Sequence, residues 1–141
     1  MMERSVLDFV YTIAEAATLW GKGIDTVRDA CNRPVARFRE GECRKSGGTW
    51  IVTRGGMERL YGIVLGMTDL CPVDFSIQDV YTVNEAAMVW GKSGSVVKDG
   101  CDGHGGRDRV RFLKGECRQS GRTWLVTREG MVRVFGEVLV V

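Results

Sequence analysis

A chain of 141 residues that is 44% hydrophobic and 27% charged, with a net charge of +2, has the composition of a soluble globular protein. Disordered, collagen-like and membrane-embedded classes are excluded: no stretch is long and apolar enough to span a bilayer, and residues 1–8 lack the apolar run of a signal peptide. Five cysteines with no Cys-x-x-Cys spacing and one histidine, His104, in a Gly-rich stretch argue for free thiols in a reducing cytoplasm, with no metal site and no cofactor.

In chain order, Met1–Val10 is a lead-in, either a strand or a first packing layer. Thr12-Ile13-Ala14-Glu15 has the form of a capping box, in which the threonine hydroxyl accepts from the third helical N–H and the glutamate reaches back. The helix it opens carries Ile13, Ala16, Ala17 and Trp20 on one face and stops at Gly21. After the turn Gly21-Lys22-Gly23, a second helix is expected from about Asp25 to Cys31, and the two make a helix-turn-helix. Pro34 prevents its continuation. Glu42-Cys43-Arg44 and Thr49-Trp50-Ile51-Val52 alternate as strands around the turn residues Lys45-Ser46-Gly47-Gly48, which reads as a β-hairpin. Thr53 then caps a third helix with Met57, Leu60, Tyr61 and Val64 as its apolar stripe.

The order then repeats. Tyr81-Thr82-Val83-Asn84-Glu85-Ala86-Ala87 matches Tyr11–Ala17 seventy residues earlier, and Gly115–Arg128 matches Gly41–Arg54 at a spacing of seventy-four. The four extra residues fall in the stretch Asp102–Arg109, and the closing stripe recurs as Met131, Val134, Phe135 and Val138. The chain is therefore read as two units, residues 1–66 and 77–141, joined by a connector at 67–76 that contains Pro72. Each repeat is basic: Tyr11–Gly62 holds nine basic side chains against six acidic, and Tyr81–Gly136 ten against six. The intervening stretch has Asp69, Asp74 and Asp79 and no basic residue. Basic repeats point mildly to a polyanionic partner.

The ordered blocks Tyr-Thr-x-x-Glu-Ala-Ala-x-x-Trp-Gly, Thr26-Val27-Arg28 and the hairpin ending Trp50-Ile51-Val52-Thr53-Arg54 resemble a winged helix-turn-helix of the MerR/excisionase type, in both copies. The resemblance implies an α+β fold of two tandem winged units, each with a hairpin wing and a third helix. It implies double-stranded DNA as partner and a role as a transcriptional regulator or an accessory factor of a phage or plasmid. By position, it assigns the major groove to Asp25, Thr26, Arg28 and Asp29 in the first copy and to Ser95, Val96, Lys98 and Asp99 in the second. It assigns the wings to Arg44, Lys45, Arg118 and Arg122. Lys22 and Lys92, just before the second helix of each unit, stand where a phosphate would meet its first N–H groups.

Other residues have plainer expected roles. Trp20, Trp50, Trp90 and Trp124 are read as core pillars, and Glu42 and Glu116 as ion-pair partners of the wing arginines. Ser46 and Ser120 lack a histidine partner and are read as turn residues, and nothing in the sequence assembles a catalytic set. A second reading stays open: a protein-interaction module on the same scaffold, with a protein partner or self-association through the apolar end Glu137–Val141. Asp29 and Asp99, which would repel a phosphate backbone, and Gly94 and Gly100 in the second reading helix favour it.

Overall fold

The computed structural model describes residues 6–32, 37–64, 76–102, 112–113 and 115–138. A single 3-10 turn, Val6–Phe9, leads into strand β1 (Val10–Thr12), followed by helices α1 (Ile13–Trp20) and α2 (Ile24–Asn32). Strands β2 (Cys43–Ser46) and β3 (Thr49–Thr53) form the hairpin, and α3 (Arg54–Tyr61) closes the unit. The second unit repeats every element: a 3-10 turn at Ile77–Asp79, β4 (Val80–Thr82), α4 (Val83–Trp90), α5 (Gly94–Asp102), β5 (Cys117–Ser120), β6 (Thr123–Thr127) and α6 (Arg128–Phe135). The fold is α+β, two tandem winged helix-turn-helix units.

The lead-in resolves as a third strand. β1 pairs antiparallel with β3, Tyr11 opposite Val52, so each sheet runs β1-β3-β2 or β4-β6-β5. Local chemistry accounts for the helix bounds. Thr12 stays extended and its hydroxyl accepts from Glu15 N, while Gly21 takes the left-handed conformation (φ 64°) that ends α1 and starts the turn. Thr53 caps α3 in the same way by accepting from Gly56 N. Helix α3 ends earlier than its stripe suggests, at Tyr61, because Gly62 (φ 93°) breaks it; Val64 still packs on the core after the break.

Each unit has its own core. In the first, Ala16, Val27, Ala30, Val52 and Met57 are fully or almost fully buried, with Trp20 edge-on to Tyr11 at 5.6 Å. Trp20 Nε1 donates to Gly62 O at 2.8 Å and thereby ties α1 to the end of α3. Trp90 does the same to Gly136 O at 2.7 Å. Trp20 is a buried pillar as expected, whereas Trp50, Trp90 and Trp124 are only partly buried and pack against their cores.

A third apolar cluster belongs to neither unit alone. Leu7, Val10 and Ile51 of the first meet Ile77, Val80 and Leu125 of the second, all at most 1% exposed. The two sheets are packed together through this seam. Residues 65–75, which include all of the connector but Ser76, lie outside the described residues, as do the stretch 103–111 and the apolar end at 139–141.

Candidate nucleic-acid interface

The wing strands decide the geometry. Side chains alternate along a strand, so Arg44 and Ser46 of β2 share one face and Lys45 takes the other. Lys45 is exposed, whereas Ser46 is fully buried and the Arg44 side chain is 12% exposed. Arg44 reaches into the other unit. Its Nη2 and Nη1 donate to both carboxylate oxygens of Glu85 at 2.6 and 2.9 Å, its Nε donates to Ile77 O at 3.0 Å, and its Nη2 also donates to Val80 O. Its guanidinium lies over the Tyr81 ring at 5.4 Å.

The second wing returns the contact. Arg118 Nη2 and Nη1 donate to Glu15 at 2.7 and 3.1 Å, and its Nε and Nη2 donate to Leu7 O and Val10 O at 2.5 and 2.6 Å. Its guanidinium covers Tyr11 at 5.6 Å. Burial pushes the Tyr11 phenol up to about 12, against the opposing pull of Arg54 and Arg118.

The serines complete the exchange. Thr12 N donates to Ser120 Oγ at 2.9 Å, and Ser120 Oγ donates to Glu15 Oε1 at 2.5 Å. Thr82 N and Glu85 bracket Ser46 Oγ in the same way, at 2.9 and 2.5 Å. Glu15 therefore does not reach back to its own cap; a serine from the other unit's wing sits between the two halves of the capping box and satisfies both.

These contacts correct several sequence expectations. Arg44 and Arg118 are not at a loop tip facing a duplex but are bidentate partners of Glu85 and Glu15 across the seam. Glu42 and Glu116 pair instead with third-helix arginines, Arg59 and Arg133, each at 2.6 Å. Those bonds hold both carboxyls below the ordinary glutamate range, against a weaker upward push from burial. Ser46 and Ser120 are seam residues and not free turn hydroxyls. Composition could not have revealed this, but the period-2 alternation of β2 could have separated Arg44 from Lys45.

The remaining predicted residues stay at the surface. Asp25, Thr26, Arg28 and Asp29 are exposed on α2, as are Ser95, Val96 and Lys98 on α5, where Asp99 is half-buried. Arg28 Nη1 donates to Asp25 Oδ1 at 2.7 Å, an exposed pair within the helix. Lys22 and Lys92 lie over Tyr61 and Phe135 at 5.5 and 5.8 Å, so each keeps an exposed charge on an aromatic base. The cysteines pair locally: a hydrogen bond between Cys31 and Cys43, aided by burial, pushes the Cys31 thiol up, while the same bond draws Cys43 down against the opposing push of burial; all four described cysteines are free.

Among the described residues, grooves border α2 and α5. The first, about 740 Å³, is walled by α1, by Ile24 and Arg28 of α2, by Gly48-Thr49-Trp50 of its own wing and by Gly121-Arg122-Thr123 of the other. The second, about 450 Å³, is formed by Val83 and Asn84 with Gly94, Ser95 and Lys98 of α5 and by Arg122, Thr123 and Trp124. Arg122 and Thr123 border both, so the grooves meet at the second wing tip.

Each unit thus has the parts of a winged helix-turn-helix: a capped first helix, a tight turn, an exposed second helix and a hairpin beside it. The chain belongs to the helix-turn-helix domain family, whose model matches residues 1–64 and again 67–139. Membership supports a DNA-binding role in general terms. No curated protein matches the chain. Among the described residues no helix is long and apolar enough to cross a membrane, and no group of acidic, histidine and cysteine side chains could hold a metal ion.

Proposed function

We propose that the chain is a sequence-specific double-stranded DNA-binding protein of the MerR/excisionase type, without a catalytic step, that engages one duplex with both units as an internal pseudo-dimer. The observation that carries this reading is the reciprocity of the seam. The first unit's Arg44 and Ser46 take the second unit's Glu85 and Thr82, and the second unit's Arg118 and Ser120 take Glu15 and Thr12. Mutual contacts of this kind are the mark of a two-fold interface. A two-fold pair of reading helices fits half-sites in inverted orientation, about one helical turn or a multiple apart. Because Asp25, Thr26 and Arg28 are answered by Ser95, Val96 and Lys98, the two half-sites are related but not identical. Covalent linkage makes the second contact intramolecular and adds avidity to two small surfaces. Such a protein serves as a transcriptional regulator or as an accessory factor of a mobile element.

Selection from a random duplex pool, followed by fluorescence anisotropy at graded salt, tests this. An imperfect inverted repeat and a steep salt dependence are expected. The Arg28–Asp25 pair, which occupies the first reading helix's own cation, favours a second reading as a protein-interaction module. Failure of the wild-type chain to bind heparin or any duplex at low salt, with a protein partner recovered, would establish that alternative.

A further inference from the structure

The wing tips differ in one respect that the seam makes consequential. The first turns through Gly47-Gly48 and the second through Gly121-Arg122, so only the second carries a cation at its tip. The seam holds each tip over the other unit. A Cβ built on Gly121 would lie 3.5 Å from Thr12 Oγ1 and 3.6 Å from Ala14 Cβ, at the start of α1. The Ser120 hydroxyl anchors that approach to the cap of α1. Arg122 is consequently a wall of the first unit's groove, which Ile24 and Arg28 also line, and of its own unit's groove, which Lys98 also lines. It is exposed, and among the described residues no carboxylate pairs with it.

We propose that Arg122 is a DNA-contacting residue of the first unit, so that the surface around α2 is a composite site completed by the second unit's wing. This rests on the DNA-binding reading and assigns a second unit's residue to the first half-site. An unpaired guanidinium where two grooves meet serves the duplex stretch between the half-sites. There it contacts backbone phosphate or enters a narrowed minor groove, both of which favour arginine. The first wing supplies no equivalent, because Gly48 has no side chain. The two half-sites therefore share one charged tip, which the first receives from the other unit's wing and the second from its own.

The experiment is hydroxyl-radical footprinting of the full chain on its selected duplex, with Arg28→Ala and Lys98→Ala marking the half-site of each reading helix. Arg122→Gly, which gives the second tip the residue the first one has, is expected to remove protection on the Arg28 side of the centre as well as the Lys98 side. It is also expected to reduce the salt slope by about 0.9. Gly48→Arg, at a position with nothing within 4 Å of an added Cβ, is expected to add protection in the Lys98 half-site. Loss confined to the Lys98 side, or an unchanged footprint, overturns the composite site and leaves the DNA-binding function standing. A wild-type chain that protects no duplex overturns both.

Discussion

Comparing the two units position by position separates what the duplication has kept from what it has let change. Identical pairs gather at the seam: Thr12 and Thr82, Glu15 and Glu85, Arg44 and Arg118, Ser46 and Ser120, Gly47 and Gly121. Exposed pairs differ in chemical type, Asp25 with Ser95, Thr26 with Val96, Lys45 with Gln119, Gly48 with Arg122, whereas the apolar seam pairs Leu7 with Ile77 and Ile51 with Leu125 exchange one aliphatic side chain for another. A residue that must satisfy a buried partner in the other unit cannot change without a matching change there, whereas an exposed side chain can. Away from the seam, even an identical pair can sit in different surroundings. Arg54 is buried and lies over Phe9 at 5.4 Å, while its counterpart Arg128 is exposed and 4.0 Å from Asp79, because Asp79 stands where the first unit has Phe9.

Removing a seam carboxylate gives the largest effect. Glu85→Ala strips Arg44 of its bidentate partner and Ser46 of an acceptor, leaving a partly buried guanidinium. A loss of about 3 kcal/mol in urea denaturation is expected, the lower end for a broken buried pair because Glu85 is 24% exposed. Glu15→Ala gives a similar loss through Arg118. Were either substitution as mild as an exposed ion-pair deletion, under about 1 kcal/mol, the seam would not be what unites the units.

Ser46→Ala is next. It orphans the buried Thr82 N–H, at a cost of about 1–3 kcal/mol. Ser120→Ala does the same at Thr12. Circular dichroism melts of the two single variants should shift alike, because the contacts are reciprocal; a shift in only one would break the two-fold equivalence.

At the exposed positions the expected effects are smaller and fall on binding. Lys45→Ala should weaken all duplexes about equally and lower the salt slope by about 0.9, while Gln119→Ala, its neutral counterpart, leaves that slope unchanged. Arg28→Ala should alter sequence preference by about 1–3 kcal/mol at one base pair if its guanidinium reads a base. Equal loss on every duplex would make Arg28 a phosphate contact instead.

How much of this was legible beforehand depended on whether the determinant was local. Thr12 and Thr53 as caps, Gly21 as the stop of α1 and the Met57 stripe are set by neighbours within one helical turn, and each was readable. The partners of Arg44 and Glu15 lie 41 and 103 residues away, and nothing in a linear pattern encodes which carboxylate a wing arginine will meet. The capping box shows the limit well. Its spacing correctly marks the helix start, yet Glu15 is committed to a wing serine and arginine that arrive only when the second unit folds. The alternation of β2 is local and readable: Arg44 and Lys45 point to opposite faces, so both cannot reach the same groove.

The smallest expected effect concerns the ion pairs that stay within one unit. Arg59 holds the Glu42 carboxyl below 4.5, as Arg133 holds Glu116. For a lowered acid the unfolded chain binds the proton first as pH falls. The stabilisation is thus complete above about pH 4.5 and disappears as pH drops through the folded-state value. Glu42→Gln and Glu116→Gln should each flatten the acid limb of a stability–pH curve below pH 4.5, by equal amounts, because the two pairs have the same geometry. A seam charge removed in the same assay, Glu85→Gln, tests the distinction between the two regions. If pairing inside a unit and pairing between units are separate devices, Glu42→Gln changes the acid limb while leaving unfolding a single cooperative transition. Loss of the seam carboxylate instead lets the units unfold apart, and the transition broadens or splits.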